Sequence, residues 1–221
     1  MPALVTPLLM MALLVQPSTA PAPAPAPDAT ADALAADVMR ASGADAWPRV
    51  TRIRFTFNVE RDGKQVASVK HDWDVRAGTD TVTWGDKTAT VDVRKSDHTD
   101  ELQRQAYGRF INDSYWLLAP LKVMDGGVRR STGPSETIDG KSYDRLHLSF
   151  ENVGLTPSDQ YDLWVDPQTK LVRHWDYIPA KGNPRRFTWD DYREFNGLKL
   201  STKHASSGAT ISFTDIEVTM E

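Results

Sequence analysis

The sequence predicts an α+β fold that is mainly β: a large antiparallel sheet of ten or more short strands, together with two helices. Two observations predict it. From residue 50 onward, apolar and polar residues alternate over many short runs. Turn-forming pairs such as Asp139-Gly140 and Asn196-Gly197 separate many of these runs. Because a sheet of this width normally curls or closes, one of its faces has to be covered.

The first 27 residues carry no charged side chain, and we expect a signal peptide followed by a linker. The apolar run over residues 8–15 is too short for a bilayer span, which needs about 20 residues, but it fits the apolar region of a signal peptide. No Lys or Arg precedes the run, and the alternative is the N-terminal tail of a cytosolic protein. Cleavage is expected between Ala20 and about Ala36. The Pro-Ala repeat over residues 21–27 is expected to be an extended linker.

The absence of cysteine excludes several classes of protein. The chain can hold no disulfide, no cysteine-based zinc site and no thiol nucleophile. No lipobox cysteine follows the leader, so a lipid anchor is not expected, and no later segment is apolar and long enough to span a membrane. We therefore expect a soluble periplasmic protein. The net charge of −4 gives no reason to expect a nucleic-acid partner. Residues 28–221 fit a single domain.

The first folded element is predicted to be a helix over about residues 30–42. Thr30 is a plausible N-cap, and Gly43 stands where a glycine commonly ends a helix. From Val50 the apolar period changes from helical spacing to two. A strand is therefore predicted there, with Ile53, Phe55, Phe57 and Val59 on its buried face.

The turn at residues 61–64 leads into a second strand over residues 65–76, and the register decides which of its side chains are buried. A two-residue Asp62-Gly63 loop would place Lys70 opposite the Phe55 and Phe57 face. A loop with one residue more or less, such as one with Gly63 in a left-handed bulge position, would place His71 and Trp73 there. We expect the second register. Four charged side chains then share the outer face: Arg52, Arg54, Asp72 and Asp74.

One further helix is predicted over about residues 99–112, where Leu102, Ala106 and Phe110 recur at every fourth position. The apolar segment 114–120 follows and need not be helical. We expect it to lie against the concave face of the sheet, as ordinary core or as a movable cover. The remaining strands are expected at about residues 80–84, 88–94, 128–132, 136–139, 143–150, 160–166, 170–178, 186–192, 198–204 and 210–218.

The order of several segments resembles the LolA/LolB-like superfamily of bacterial envelope proteins, over about residues 31–221. The segments that carry the resemblance are Trp-Pro-Arg-Val at 47–50, Tyr-Trp-Leu-Leu-Ala-Pro-Leu at 115–121, the strand-turn-strand at 161–172, and 196–200 with 211–213. The resemblance implies an unclosed β half-barrel with helices on its concave side and an apolar cavity that holds acyl chains. The lack of a lipidation cysteine argues against the outer-membrane-anchored type. The strand after Asn196-Gly197 also lacks the proline that is common in relatives.

No catalytic residue, metal site or cofactor is predicted. The HExxH, GxSxG, P-loop and GxGxxG patterns are all missing from the sequence. His71, Asp72 and Asp74 belong to one strand, on which His71 points to one face and the two aspartates to the other. A site assembled across strands remains an alternative. His71 is the first residue to inspect for it, although a core histidine is favoured.

The seven tryptophans are consistent with cross-strand packing or with an apolar ligand cleft. Core and pocket residues look alike in a sequence, so both interpretations stay open. The candidate cleft residues are Phe55, Phe57, His71, Trp73, Tyr115, Trp116 and Leu117.

We therefore expect an exported, non-enzymatic protein that binds a lipid, a lipoprotein acyl chain or another apolar ligand in a half-barrel cleft. The first alternative is an envelope protein that binds a protein partner through a groove or an open sheet edge. A filled interior with an exposed edge strand would favour it. The second is a hydrolase with a dispersed site, which a cluster of ionisable groups on the inner face would favour.

Overall fold

The computed structural model describes residues 28–151 and 153–221. The predicted signal peptide and Pro-Ala linker lie outside these residues. The helices are α1 (Ala29–Ala41), a 3₁₀ helix (Ala44–Arg49) and α2 (Glu101–Lys122). The strands are β1 (Val50–Arg61), β2 (Lys64–Asp74), β3 (Thr79–Trp84), β4 (Lys87–Asp92), β5 (Val128–Ile138), β6 (Lys141–Phe150), β7 (Gln160–Val165), β8 (Val172–Ile178), β9 (Arg185–Thr188), β10 (Asp190–Phe195), β11 (Leu198–Ser206) and β12 (Ala209–Met220).

The strands form two antiparallel sheets that meet at the β9–β10 junction. One sheet has the order β10-β11-β12-β1-β2-β3-β4, and the other has the order β5-β6-β7-β8-β9. Trp189 separates β9 from β10, and the Ala205 N–H of β11 donates to Thr188 Oγ1 of β9 at 3.2 Å. The predicted fold class is confirmed: the protein is mainly β, and its large curved antiparallel sheets are not closed into a barrel.

The helices pack on the inner face of the sheets, and their ends differ in part from the sequence prediction. Asp28, and not Thr30, is the N-cap of α1, because its Oδ1 accepts hydrogen bonds from the Thr30 and Ala31 N–H groups. The glycine at the end of α1 is confirmed, since Gly43 has φ +87°. Of the described residues, no helix combines the length and apolar character needed to span a membrane.

Helix α2 is longer than predicted and continues through the apolar segment to Lys122. Asp100 caps its N-terminus by accepting from the Gln103 N–H. Pro120 lies in the last turn and cannot donate a backbone hydrogen bond to the Trp116 carbonyl. The helix persists because the flanking residues Leu117 and Leu118 are fully buried against the sheet.

Two strand predictions were wrong in their division of the chain. The segments predicted at 128–132 and 136–139 form the single strand β5, which has a register shift between Gly133 and Glu136. The segment predicted at 186–192 is instead β9 and β10, which belong to different sheets. A local break in alternation therefore marks an irregularity within one strand in the first case and a change of sheet in the second.

The predicted register of the β1–β2 hairpin is confirmed. Phe55 lies opposite His71, and Phe57 lies opposite Val69. The extra residue is not at Gly63, the example considered in the sequence. The ladder instead shifts near Val59 and leaves Val66 as an extra, exposed residue of β2. On the outer face, the Nε atoms of Arg52 and Arg54 each lie 3.3 Å from a carboxylate oxygen of Asp72.

Candidate functional site

An open cavity of about 570 Å³ lies between α2 and the inner side of the sheets, with lining residues from both of them. One wall is a face of α2 on which Phe110, Ser114, Leu118 and Lys122 recur at every fourth residue. We call this space the aromatic cavity. Its other lining residues include Trp47, Trp73, Tyr115, Trp116, Val128, Phe150, Val153, Leu155 and Tyr161.

Contacts between aromatic rings hold the walls of the aromatic cavity in place. The ring of Trp116 lies 4.6 Å, between centroids, from that of the buried Trp175. Tyr115 lies 5.5 Å from Tyr161, which itself contacts Trp175 at 4.5 Å. Such tilted contacts fix ring positions beyond what buried area alone achieves. The cavity is therefore bounded by stiff side chains with few rotatable bonds.

The polar groups of the aromatic cavity are few. Lys122 Nζ and Asp125 Oδ2 form an ion pair of 2.6 Å at the end of α2, and both side chains are exposed. Burial raises the pKa of Tyr115 well above its usual range, so this hydroxyl stays protonated at neutral pH. The cavity therefore offers an apolar interior and a charged rim.

The predicted cleft residues divide into three groups in the structure. Trp73, Tyr115 and Trp116 line the aromatic cavity. Phe55, Phe57 and Leu117 are at most 5% exposed and pack in the core cluster. His71 lies in a separate ionisable cluster.

Sequence reasoning missed several residues of the cavity. Phe150, Tyr161 and the loop containing Leu155 come from the second sheet, and no local pattern places them opposite α2. Leu118 could have been found, since the four-residue spacing that reaches Phe110 continues through Ser114 to Leu118.

The ionisable cluster joins α2 to two strands of the seven-stranded sheet. His71 Nδ1 lies 2.7 Å from Asp80 Oδ2, and His71 Nε2 lies 3.0 Å from Asp113 Oδ2. The side chains of His71 and Asp80 have no exposed surface, and that of Asp113 is 4% exposed. The imidazole also stacks on Phe55, with 4.5 Å between ring centroids. Asn112 donates to the other oxygen of Asp113 at 2.8 Å.

This cluster is the kind of arrangement that would favour the hydrolase alternative, so its accessibility matters. Both ring nitrogens of His71 already contact carboxylates, and none of the three side chains lines the aromatic cavity. A general base needs a free lone pair within reach of a substrate proton. The geometry therefore suits a structural ion cluster better than a catalytic one. Within the described part of the chain, no group of three or more His, Asp or Glu side chains is placed to hold a metal ion.

A second buried histidine lies behind the cavity wall. His204 has no exposed surface, and its ring lies 4.3 Å from Trp189 and 5.7 Å from Trp116. Burial lowers the pKa of His204 to about 3, against the smaller opposite effect of the Thr188 and Trp116 backbone carbonyls. His204 is therefore neutral at physiological pH and belongs to the aromatic core.

Solved structures with a similar fold include three from bacteria. A DUF1329 family protein from Desulfovibrio piger is 11% identical, with 85% of this chain and 92% of that chain covered and a TM-score of 0.48. A LolA superfamily protein from Nitrosomonas europaea is 10% identical, with 85% and 94% covered and a TM-score of 0.47. A putative outer membrane lipoprotein-sorting protein domain from Vibrio parahaemolyticus is 10% identical, with 85% and 93% covered and a TM-score of 0.48.

The structural neighbours of this chain thus include LolA superfamily proteins. This is the superfamily that the order of the sequence segments resembles. No protein-family profile matches the chain, and no curated protein sequence matches it.

Proposed function

We propose that this protein is a non-enzymatic periplasmic binding protein that holds an apolar chain, such as a lipid or a lipoprotein acyl chain, in the aromatic cavity. The proposal rests on the volume and the lining of the aromatic cavity. Its volume of about 570 Å³ lies within the range of about 300–1,000 Å³ that is typical of small-molecule sites. An interior of aromatic and aliphatic side chains with an ion pair at the rim matches a ligand with an apolar body.

The aromatic cavity has one strongly exposed apolar side chain in its lining. Leu155 lines the cavity although 54% of its surface is exposed. Exposed apolar residues at the rim of a cavity are a common feature of ligand-binding sites. An acyl chain that inserts past Leu155 would remove this side chain from water.

The expected affinity can be bounded from the apolar burial. About 12 buried methylene groups contribute roughly 10 kcal/mol at about 0.8 kcal/mol each. Association removes at least about 4 kcal/mol through lost freedom of motion. The remainder of up to about 6 kcal/mol corresponds to a Kd of tens of micromolar. Direct titration at micromolar protein therefore suits a single-chain probe.

The proposal is tested with a fluorescent fatty acid and with two matched variants. Leu155→Asp puts a charge at the cavity mouth, whereas Val66→Asp puts the same charge on an equally exposed apolar residue of the β2 bulge. We expect Leu155→Asp to weaken probe binding at least tenfold and Val66→Asp to leave it unchanged. Native mass spectrometry of protein from its own envelope should also show bound lipid. Protein that is reproducibly empty and has no affinity for the probe would overturn the proposal.

Periplasmic location is part of the same proposal and has its own test. N-terminal sequencing of the protein from a cell fraction should find the chain shortened to a residue between Ala20 and about Ala36. Intact Met1 in the cytoplasmic fraction would contradict it.

A filled interior together with an exposed edge strand would favour the alternative of a protein-interaction module. The described interior contains the aromatic cavity instead. The edge strands carry features that discourage pairing with another chain: β4 is only six residues long, and β5 contains Pro134 and a register shift. An envelope protein partner that receives the ligand is compatible with the proposal.

A further inference from the structure

The ionisable cluster is the polar link between α2 and the β2–β3 hairpin. Asp113 lies near the middle of α2 and does not itself line the aromatic cavity. It meets His71 of β2, whose other ring nitrogen meets Asp80 of β3. The position of the cavity wall therefore depends on the same helix that this cluster holds against the sheet.

The geometry of the cluster favours a doubly protonated His71 ring. An ionised carboxylate only accepts hydrogen bonds, and a neutral imidazole donates from only one of its two nitrogens. With both carboxyl groups ionised, the contacts at 2.7 Å and 3.0 Å are both hydrogen bonds only when His71 carries a proton on each nitrogen. The cluster is then an imidazolium between two carboxylates in a buried site.

The surroundings of His71 contain little else that could replace this proton. From β1 the ring meets Phe55, from β3 the carboxylate of Asp80, and from α2 the carboxylate of Asp113. Its neighbours on β2, Lys70 and Asp72, point to the outer face of the sheet. The positive charge of His71 is thus the group that separates two buried negative charges.

We propose that protonated His71 is a pH-dependent latch that holds α2 against the β2–β3 hairpin and thereby keeps the wall of the aromatic cavity in place. Loss of the proton removes one of the two hydrogen bonds and leaves two buried carboxylates without the cation between them. Since an uncompensated buried charge is strongly destabilising, α2 loosens at Asp113. The consequence for ligand retention rests on the proposed function, whereas the consequence for the helix does not.

The direction of the pH dependence follows from the balance of effects on His71. Burial acts to lower the pKa of His71, but the hydrogen bonds from its ring to Asp113 and Asp80 and their negative charges outweigh it, so the pKa is raised. A raised pKa in the folded state means that the stabilisation is fully present below the ordinary histidine pKa of about 6.5. It is lost as the pH rises through the folded value.

The test compares His71→Gln with His147→Gln in the full chain. His147 also contacts a carboxylate, Asp162, at 2.7 Å, but this pair lies between β6 and β7 and is partly exposed. From about pH 5 to about pH 9, we expect the Tm of the wild type to fall by on the order of 10 °C. The Tm of His147→Gln should fall by the same amount. The His71→Gln protein should have a lower Tm with a flat profile. The dissociation rate of a fluorescent fatty acid should rise with pH in the wild type and not in His71→Gln.

Two further results make the test decisive. If His71→Gln does not fold, the NMR titration of the His71 ring in the wild type replaces it. We expect a protonated ring at neutral pH, and a neutral ring would overturn the latch. A wild-type pH profile that His71→Gln retains would also overturn it. If the Tm profiles are as expected but no probe binds, the latch stands and the proposed function fails.

Discussion

Replacing Trp116 by alanine tests whether this side chain is a wall of the cavity as well as part of the core. Its ring packs on Trp175 and on Phe187, with centroid distances of 4.6 Å and 4.9 Å, and its remaining surface lines the cavity. Tryptophan-to-alanine changes in a core cost about 3–5 kcal/mol. Because part of the ring already faces an open space, we expect about 3 kcal/mol, which corresponds to a Tm lowered by about 6–12 °C.

The same substitution should weaken ligand binding. Loss of an aromatic wall that contacts several methylene groups is expected to cost about 1–2 kcal/mol, or roughly a 5- to 30-fold higher Kd for a fatty-acid probe. Chemical denaturation gives the stability, and titration well below the lowered Tm gives the affinity. Leu117→Ala is the matched control, because Leu117 is the next residue of α2, is fully buried and does not line the cavity. It should cost about 2–5 kcal/mol of stability with an unchanged Kd. Equal affinities of Trp116→Ala and the wild type would refute the reasoning.

Two other predictions concern the scaffold. Gly43→Ala should destabilise the protein by more than about 1 kcal/mol in urea unfolding, because a Cβ there would lie 2.0 Å from the Gly197 carbonyl oxygen. Gly63→Ala, at a similar φ but in open space, should cost less, and equal costs would contradict the close approach as the cause. Burial acts to raise the pKa of Asp166, but the Lys141 ammonium and two backbone N–H groups outweigh it and lower this pKa. The resulting stabilisation is present above pH 4 and is lost as the pH falls through the folded pKa, so Asp166→Asn should flatten the acid limb of a stability profile, and an unchanged limb would be inconsistent with this role.

In the β1–β2 hairpin, the alternation of apolar and polar residues predicts the buried face but not the position of the bulge. Since a one-residue slip of β2 would bury Lys70 beside Phe55 and Phe57 and expose Trp73, the buried face could be predicted from the sequence alone. The location of the irregularity could not, because a longer loop and a bulge at Val66 produce the same parity.

Helix α2 shows where local signals were misleading. The helix was predicted to end near Asn112, with an apolar segment after it that need not be helical, yet it continues through Pro120 to Lys122. One missing backbone hydrogen bond costs less than the burial of Leu117 and Leu118 contributes. Tertiary packing therefore overrides the local preference.

The sequence by itself determined the types of most elements, the buried faces of the first hairpin, the absence of cysteine chemistry and the aromatic character of the interior. Only the tertiary structure decided which aromatic residues are core and which line a cavity, because both need the same side chains. It also brought together His71, Asp80 and Asp113 from β2, β3 and α2. Alternation and helical spacing report only which face of an element is buried. The contacts between elements depend on how the sheets curve around α2, and no local pattern contains that information.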